Sequence, residues 1–314
     1  MSGAAFPPTL IPIFGAMAGG YLVRRTGILA PQMARRIMVS VQKFVTPGVL
    51  ILSFWGLESV RFSLALLPLA GIAVIAFQLA AAFWLAGRLK LEGPSKGSFL
   101  IGALLSNIGY LGWFVNLALY GKTGFDYAFV YGFYFQFAVY AAAYPIAARY
   151  GGDQVFREKG FWSRLFFEGI LLIALAAIAA GLVLNFGRIP MPALIRRAHP
   201  YLIQAATGIL MFAAGLTINV RSFRRCLTPS LAMCALKLVV TPIVAAVALK
   251  GIALFFSADP VMLRVVLVES MMPLAISCLT LSTIFHLDQD LTNVMWVVST
   301  LLFFPAFHIL AIFL

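Results

Sequence analysis

The stretch LVESMMPLAISCLTL (residues 267–281) places a carboxylate, Glu269, and a proline, Pro273, inside an otherwise apolar run. Proline has no N–H and its ring obstructs the carbonyl one turn earlier, so a helix through this run is interrupted and leaves acceptors near residue 269 free. Glu269 lies roughly 12 Å along a helix from the start of the run, too deep for its side chain to reach the interface. The pair therefore predicts a broken membrane helix that carries a cation or proton site.

Composition places the whole chain in the lipid bilayer. Of 314 residues, 62% are hydrophobic and 11% are charged, and the mean hydropathy is +1.00. Repeated runs of about 20 apolar residues are stable only where lipid replaces water, and each backbone amide then bonds within its own helix. These values exclude a soluble domain and predict an all-α polytopic membrane protein.

Other features of the composition narrow the class. The formal charge of +13 is spread over short loops, which is typical of topology signals and not of a nucleic-acid-binding face. The three cysteines, Cys226, Cys234 and Cys278, are too scattered for a disulfide framework or a metal site. We therefore expect no nucleic-acid partner and no cofactor apart from a coupling ion.

Ten apolar runs are separated by charged or Gly/Pro-rich breaks, and each is long enough to cross a membrane. The predicted spans are 6–23, 37–57, 62–87, 98–119, 126–148, 165–185, 200–219, 229–249, 261–285 and 291–313. Lys and Arg are about twice as frequent in the loops after odd-numbered spans, which predicts that those loops are cytoplasmic and both termini extracytoplasmic. The short loop between spans 5 and 6 favours a compact carrier of a bacterial inner membrane.

The two halves of the chain resemble each other in order. AMAGGYLV (16–23) matches AIAAGLVL (177–184), GVLILSFWGL (48–57) matches GILMFAAGL (208–216), and two shorter pairs follow, at separations of 160 to 167 residues. Since five is an odd number, a five-span unit that is repeated once places its copies in opposite orientations. We therefore predict two inverted five-helix repeats, 1–150 and 151–314, an architecture that is typical of secondary transporters.

In such folds the ligands bind where one helix of each repeat is broken. Span 4 contains Ser106, Asn107, Gly109 and Gly112 in mid-membrane, and span 9 contains Glu269, Pro273 and Ser277. We predict helix breaks at Gly112 and Pro273, substrate contacts from Ser106, Asn107, Gly109 and Ser277, and ion coupling by Glu269 with Ser106 and Asn107. Gln136 and Tyr140 of span 5 are added as substrate contacts, with Gln78 of span 3 a minor member.

Structural alternatives stand beside these roles. Asn107 also fits interhelical hydrogen bonding, and Pro273 also fits a simple kink. Lys237 lies deep in span 8, so it binds either a carboxylate such as Glu269 or a substrate anion, whereas Lys43 is close enough to the end of span 2 to snorkel.

The chain resembles the auxin efflux carrier family over nearly its full length. PIFGAMAGGYLVRRTGIL (12–29) is similar to the family's first helix and its exit, and FAAGLTI (212–218) to its seventh. SNIGYLGWF (106–114) and MMPLAIS (271–277) are similar to its broken fourth and ninth helices. The resemblance implies a scaffold of helices 1, 2, 6 and 7, a transport domain of helices 3–5 and 8–10 with helices 4 and 9 crossing, an elevator-like motion and a homodimer.

The wider clan includes sodium-coupled bile acid symporters, and Ser106, Asn107 and Glu269 resemble their sodium-binding residues. Those symporters tend to carry an amide where Pro273 stands, and many carriers have Asn where Ser277 falls. The resemblance thus implies a possible sodium site at these three residues, while a buried carboxylate, whose charged form is disfavoured, equally suits a proton.

We predict a secondary transporter of small organic anions, coupled to sodium or protons. The alternatives are an uncoupled exporter of auxin-like acids driven by the membrane potential, and a sodium/bile-acid-type symporter. Outside transport, a membrane-embedded sensor is an alternative. An intramembrane enzyme is disfavoured because the chain lacks paired catalytic carboxylates and a Ser/His arrangement at a shared depth.

Overall fold

The computed structural model describes residues 10–56, 66–151, 170–218, 222–253 and 259–311. Within these ranges the chain is helical, and the single β-type pairing is an isolated antiparallel bridge between Ser106 and Leu274. The prediction of an all-α membrane protein is confirmed. The parts of the predicted spans at 6–9, 57, 62–65, 165–169, 219 and 312–313 lie outside the described residues.

The helices are numbered here in chain order. They are α1 Leu10–Arg25, α2 Met33–Trp55, α3 Leu66–Arg88, α4 Gly93–Leu104, α5 Trp113–Tyr131, α6 134–150, α7 Ile170–Phe186, α8 Ala193–Thr217, α9 223–253, α10 Pro260–Ser270, α11 Ile276–Ile284 and α12 Gln289–Ala311. A wide π turn, Ile108–Gly112, leads into α5.

Helices occur in all ten predicted ranges. In the described part of the chain, five of them are both long and apolar enough to span a membrane: α2, α3, α8, α9 and α12. The shorter α7 is also apolar. The ten crossings and the inverted repeat stay predictions.

A sharp reversal at Gly121 divides α5. The dihedral angles of Gly121, φ 63° and ψ −152°, are ones that only glycine adopts readily. The segments before and after Gly121 lie side by side, as shown by the hydrogen bond of 3.1 Å that Trp113 Nε1 donates to the Ala128 carbonyl. Spans 4 and 5 are thus joined by a tight hairpin.

The chain divides into two compact units. Unit 1 comprises residues 1–59 and 153–218, and unit 2 comprises residues 60–152 and 219–314. Unit 1 holds α1, α2, α7 and α8, and unit 2 holds the other helices. This grouping follows the same spans as the scaffold and transport domains that the resemblance implies, and the roles of the two units stay predictions.

Glycines allow close helix packing in unit 1. A Cβ at Gly20 of α1 would overlap the Phe212 carbonyl of α8, and a Cβ at Gly215 of α8 would overlap the Met17 carbonyl. Small residues at both sides of this contact let the two backbones approach without side chains between them.

Candidate functional site

Two interrupted helices of unit 2 cross where their backbones leave the helical conformation. Leu105, after the end of α4, is extended (φ −107°, ψ 109°), and residues 271–275 separate α10 from α11. The Asn107 N–H donates to the Pro273 carbonyl at 2.7 Å, and the Ala275 N–H donates to the Leu105 carbonyl at 3.0 Å. Buried backbone groups need hydrogen-bond partners, and here each interruption supplies such partners to the other.

The break in span 4 differs from the prediction in position. Gly112 is helical (φ −59°, ψ −47°), and the interruption lies at residues 105–107. The backbone pairing with the second broken helix fixes the break there, so the prediction of a helix break at Gly112 is corrected. Pro273 does lie within the interruption of span 9.

Lys237 reaches the crossing from α9. Its side chain is 0% exposed, and Nζ donates to the Ser106 hydroxyl at 2.7 Å and the Ala103 carbonyl at 2.9 Å. A third bond of 3.3 Å goes to Gln78 Oε1. The ammonium therefore lies at the C-terminal end of α4, where the helix dipole favours a cation.

A π turn places Lys237 on this side of α9. The turn covers Leu236–Val240 and directly precedes Thr241 and Pro242. Proline cannot donate to the carbonyl four residues earlier, and its ring displaces that carbonyl, so the helix widens there. The Thr241 hydroxyl donates to the Leu236 carbonyl at 2.7 Å, and this carbonyl also accepts the backbone N–H of Thr241.

Glu269 forms a second buried polar cluster with α5. Its side chain is 1% exposed, and Oε1 accepts from Asn116 Nδ2 at 2.9 Å. Asn116 Nδ2 also donates to the Gly112 carbonyl at 2.9 Å. A Cβ at Gly112 would overlap the carboxyl group, with Cδ only 2.7 Å away, so glycine is what allows Glu269 to lie against α5.

The structure separates residues that the sequence grouped together. Ser106 bonds to Lys237 and Glu269 bonds to Asn116, and in the described part of the chain no hydrogen bond joins Glu269 to Ser106 or Asn107. A sodium ion shared by these three residues stays a prediction. Glu269 and Lys237 do not form the ion pair that was the structural alternative. Each side chain hydrogen-bonds to neutral groups instead.

The remaining predicted residues fall into two groups, those next to the two interruptions and those that make no hydrogen bond to them. Gly109 is in the π turn after Asn107, and Ser277 is the second residue of α11 and partly exposed. Tyr140 packs on Tyr144 with ring centroids 5.2 Å apart. Among the described residues, neither Tyr140 nor Gln136 hydrogen-bonds to the crossing, so their roles as substrate contacts stay predictions.

The sequence analysis gave no role to Asn116 and only a minor one to Gln78. Asn116 was not singled out, although an amide nine residues after Asn107 in an apolar span is itself a signal. Gln78 received little weight, yet its amide accepts from Lys237 and donates to the Ser270 carbonyl at 3.4 Å. It thus joins the neighbourhoods of Lys237 and Glu269.

Apolar helices, two crossed interruptions and buried ionisable side chains define a polytopic helical membrane protein with an internal polar site. A family model described as "Membrane transport protein" matches residues 7–311. The chain therefore belongs to this family, the auxin efflux carrier family, as the resemblance indicated.

Two relatives carry transporter names. The chain is similar to an uncharacterized transporter of Methanothermobacter thermautotrophicus, with 23% identity over 295 residues, or 94% of this chain and 93% of the relative. It is also similar to an uncharacterized transporter of Methanocaldococcus jannaschii, with 25% identity over 210 residues, or 64% of this chain and 63% of the relative. The family and these relatives indicate a membrane transporter rather than an enzyme.

Proposed function

We propose that the protein is a secondary active transporter of small organic anions, chiefly carboxylates, coupled to a cation. One observation carries the proposal: Lys237 places an ammonium group, 0% exposed, at the crossing of two broken helices. Ionisable groups at such depth are costly and mark substrate or ion pathways.

The charge balance around Lys237 favours an anion. Its three hydrogen-bond partners are a hydroxyl, a carbonyl and an amide, all neutral. In addition, α11 begins at Ile276 within the interruption, and the N-terminal end of a helix carries a partial positive charge of about half a unit. A carboxylate near Ser106 and Ser277 would meet positive potential from both sources.

For the mechanism we propose elevator-like alternating access with unit 2 as the moving body. Both interrupted helices and both buried ionisable side chains, Lys237 and Glu269, belong to unit 2, whereas unit 1 has its own glycine-mediated helix packing. A substrate held at the crossing would then travel with the unit that binds it. We assign cation coupling to Glu269, with sodium or a proton as the ion.

Uptake into proteoliposomes tests the proposal. The purified protein is reconstituted and assayed with radiolabelled malonate, succinate and indole-3-acetate, under a sodium gradient, a pH gradient or a membrane potential alone. We expect Lys237→Met to reduce uptake of the accepted probe by about tenfold or more, because interactions with a charged group contribute about 1.5–3 kcal/mol.

Lys43→Met is the matched control, since it removes a lysine from a π turn of α2 in unit 1. Uptake should persist in this variant. Equal uptake by Lys237→Met and the wild-type protein would contradict an anion site at the crossing. A probe that binds but never enters the vesicles would indicate a sensor, and uptake driven by the potential alone, about 2.3 kcal/mol per charge per 100 mV, would indicate an uncoupled exporter.

A further inference from the structure

The contact between Glu269 and Asn116 leaves two buried oxygen atoms without a hydrogen-bond donor. Asn116 Nδ2 uses its two hydrogens on Glu269 Oε1 and the Gly112 carbonyl, each at 2.9 Å. Glu269 Oε2 and Asn116 Oδ1 have no partner among the described residues, and both side chains are at most 1% exposed. An unsatisfied buried acceptor lowers the stability of the folded protein, and more so when it is charged.

The amide orientation follows from the same contacts. If Asn116 were turned over, its oxygen would face the Gly112 carbonyl, an acceptor against an acceptor. The nitrogen therefore faces Gly112 and Glu269, and the two unsatisfied oxygens remain.

No cationic side chain neutralises Glu269 in the described part of the chain. From α3 and α9, Gln78 and Lys237 bond to each other and to neighbouring oxygens. Arg264, on the same helix as Glu269, is exposed. Tyr131 and Tyr134 are the titratable groups within electrostatic range of the carboxyl group, and a tyrosine side chain carries no positive charge in either protonation state.

A single proton on Glu269 would give both unsatisfied oxygens a hydrogen-bonding role. A carboxylate and an amide can share a single N–H···O bond, and their other two oxygens are both acceptors. A neutral carboxyl group complements the amide fully, because its O–H donates to Oδ1 while its carbonyl oxygen accepts from Nδ2. No bond other than O–H forms or breaks.

We propose that Glu269 and Asn116 form a proton-binding site, in which Glu269 holds a proton on Oε2 and Asn116 recognises the protonated form. This inference rests on the proposed transport function and names its coupling ion. A hard metal ion takes about six oxygen ligands, whereas the cluster offers two free oxygens and a Gly112 carbonyl that already accepts from Asn116. Asn116 acts as a positioning residue for the proton on Glu269.

Infrared spectroscopy of the purified protein in lipid bilayers tests the protonation state without any substrate. A protonated carboxyl group has a carbonyl stretching band that a carboxylate lacks. We expect this band at neutral pH in the wild-type protein, its loss at strongly alkaline pH, and its absence in Glu269→Gln. Asp259→Asn removes an exposed carboxyl group that accepts from Tyr127 and Val261, and this control should leave the band unchanged.

A second variant keeps the test decisive if Glu269→Gln fails to fold. Asn116→Ala removes the acceptor for the proton, so the band should shift to the frequency of a less strongly hydrogen-bonded acid. A band that is absent from the wild-type protein at neutral pH, or identical in Asn116→Ala, would overturn the proposal.

Two further measurements separate this inference from the proposed function. Replacing choline chloride with sodium chloride should not remove the band, and its removal would show that sodium displaces the proton and would refute a proton site. Anion uptake by a wild-type protein without the band would refute the proton site while leaving the transport function intact.

Discussion

At the residue scale, Gly112 determines whether Glu269 can lie against α5. Its backbone is helical, so backbone conformation does not explain the need for glycine. The need comes from space, since a Cβ at this position would overlap the carboxyl group. One missing methyl group thus makes room for the buried acid.

Gly112→Ala should lower the stability of the folded protein by about 1–3 kcal/mol, because the added methyl group forces Glu269 away from Asn116. Thermal unfolding in detergent should show a lower midpoint, and proteoliposome uptake should fall with it. Gly109→Ala is the matched control, since a Cβ there meets only the Trp113 ring, at 3.9 Å. If both variants unfold at the same temperature, the close approach of Glu269 to Gly112 is wrong.

Sequence reasoning identified the charged residues of the site but not their partners. Glu269 and Lys237 stand out because ionisable groups are rare in apolar spans. Which neutral groups they contact depends on how α3, α4, α5, α9 and α10 pack together, and spacing along one helix does not contain this information. Asn116 was missed for this reason, and the Glu269–Lys237 pair was considered although the two groups bond elsewhere.

At the element scale, proline shapes the helices in two different ways. Pro273 lies in a full interruption, whereas Pro47, Pro145 and Pro242 each follow a π turn inside a continuing helix. A π turn keeps the helix intact and rotates the residues before it relative to those after it. Other prolines, such as Pro200 in α8, lie within a helix that shows neither feature, so a proline in the sequence does not by itself determine the outcome.

The close packing of α1 on α8 leads to a second prediction. Gly20→Ala should destabilise unit 1, because the new methyl group would overlap the Phe212 carbonyl, which as a backbone atom cannot move aside by changing rotamer. The thermal midpoint in detergent should fall clearly below that of the wild-type protein.

Gly19, the residue before Gly20, supplies the control for this measurement. Gly19→Ala adds the same methyl group where nothing lies within 4 Å, so its midpoint should stay close to that of the wild-type protein. A destabilised Gly19→Ala together with an unaffected Gly20→Ala would contradict the packing of α1 on α8.

At the scale of the whole molecule, alternating access requires that the crossing face each side of the membrane in turn. A single cysteine at Ser277, in a variant without Cys226, Cys234 and Cys278, should react with a membrane-impermeant maleimide from both faces of oriented vesicles. A sensor with a fixed site would react from one face only.

A loop cysteine calibrates the sidedness of the vesicles. Lys90 is exposed between α3 and α4, in a loop that the charge distribution predicts to be cytoplasmic. Lys90→Cys should therefore react only from the cytoplasmic face. Reaction from the opposite face would invert the predicted topology, with both termini then cytoplasmic.

How the helices are shared between the two units does not follow from hydrophobicity alone. Ten apolar runs are readable in the sequence because each must satisfy its backbone in lipid. Unit 2 is assembled from segments of both halves of the chain, 60–152 and 219–314, and such long-range pairings leave no periodic signal. The resemblance to a known family, not the residue pattern, indicated that grouping.

The antiparallel bridge at the crossing has a consequence for how such a protein can diversify. The hydrogen bonds that join the two interruptions use main-chain atoms of Leu105, Asn107, Pro273 and Ala275. Main-chain pairing depends little on side-chain identity, apart from the N–H that proline lacks. Side chains around the crossing are therefore free to diverge under selection for new cargo while the framework that presents them is inherited unchanged.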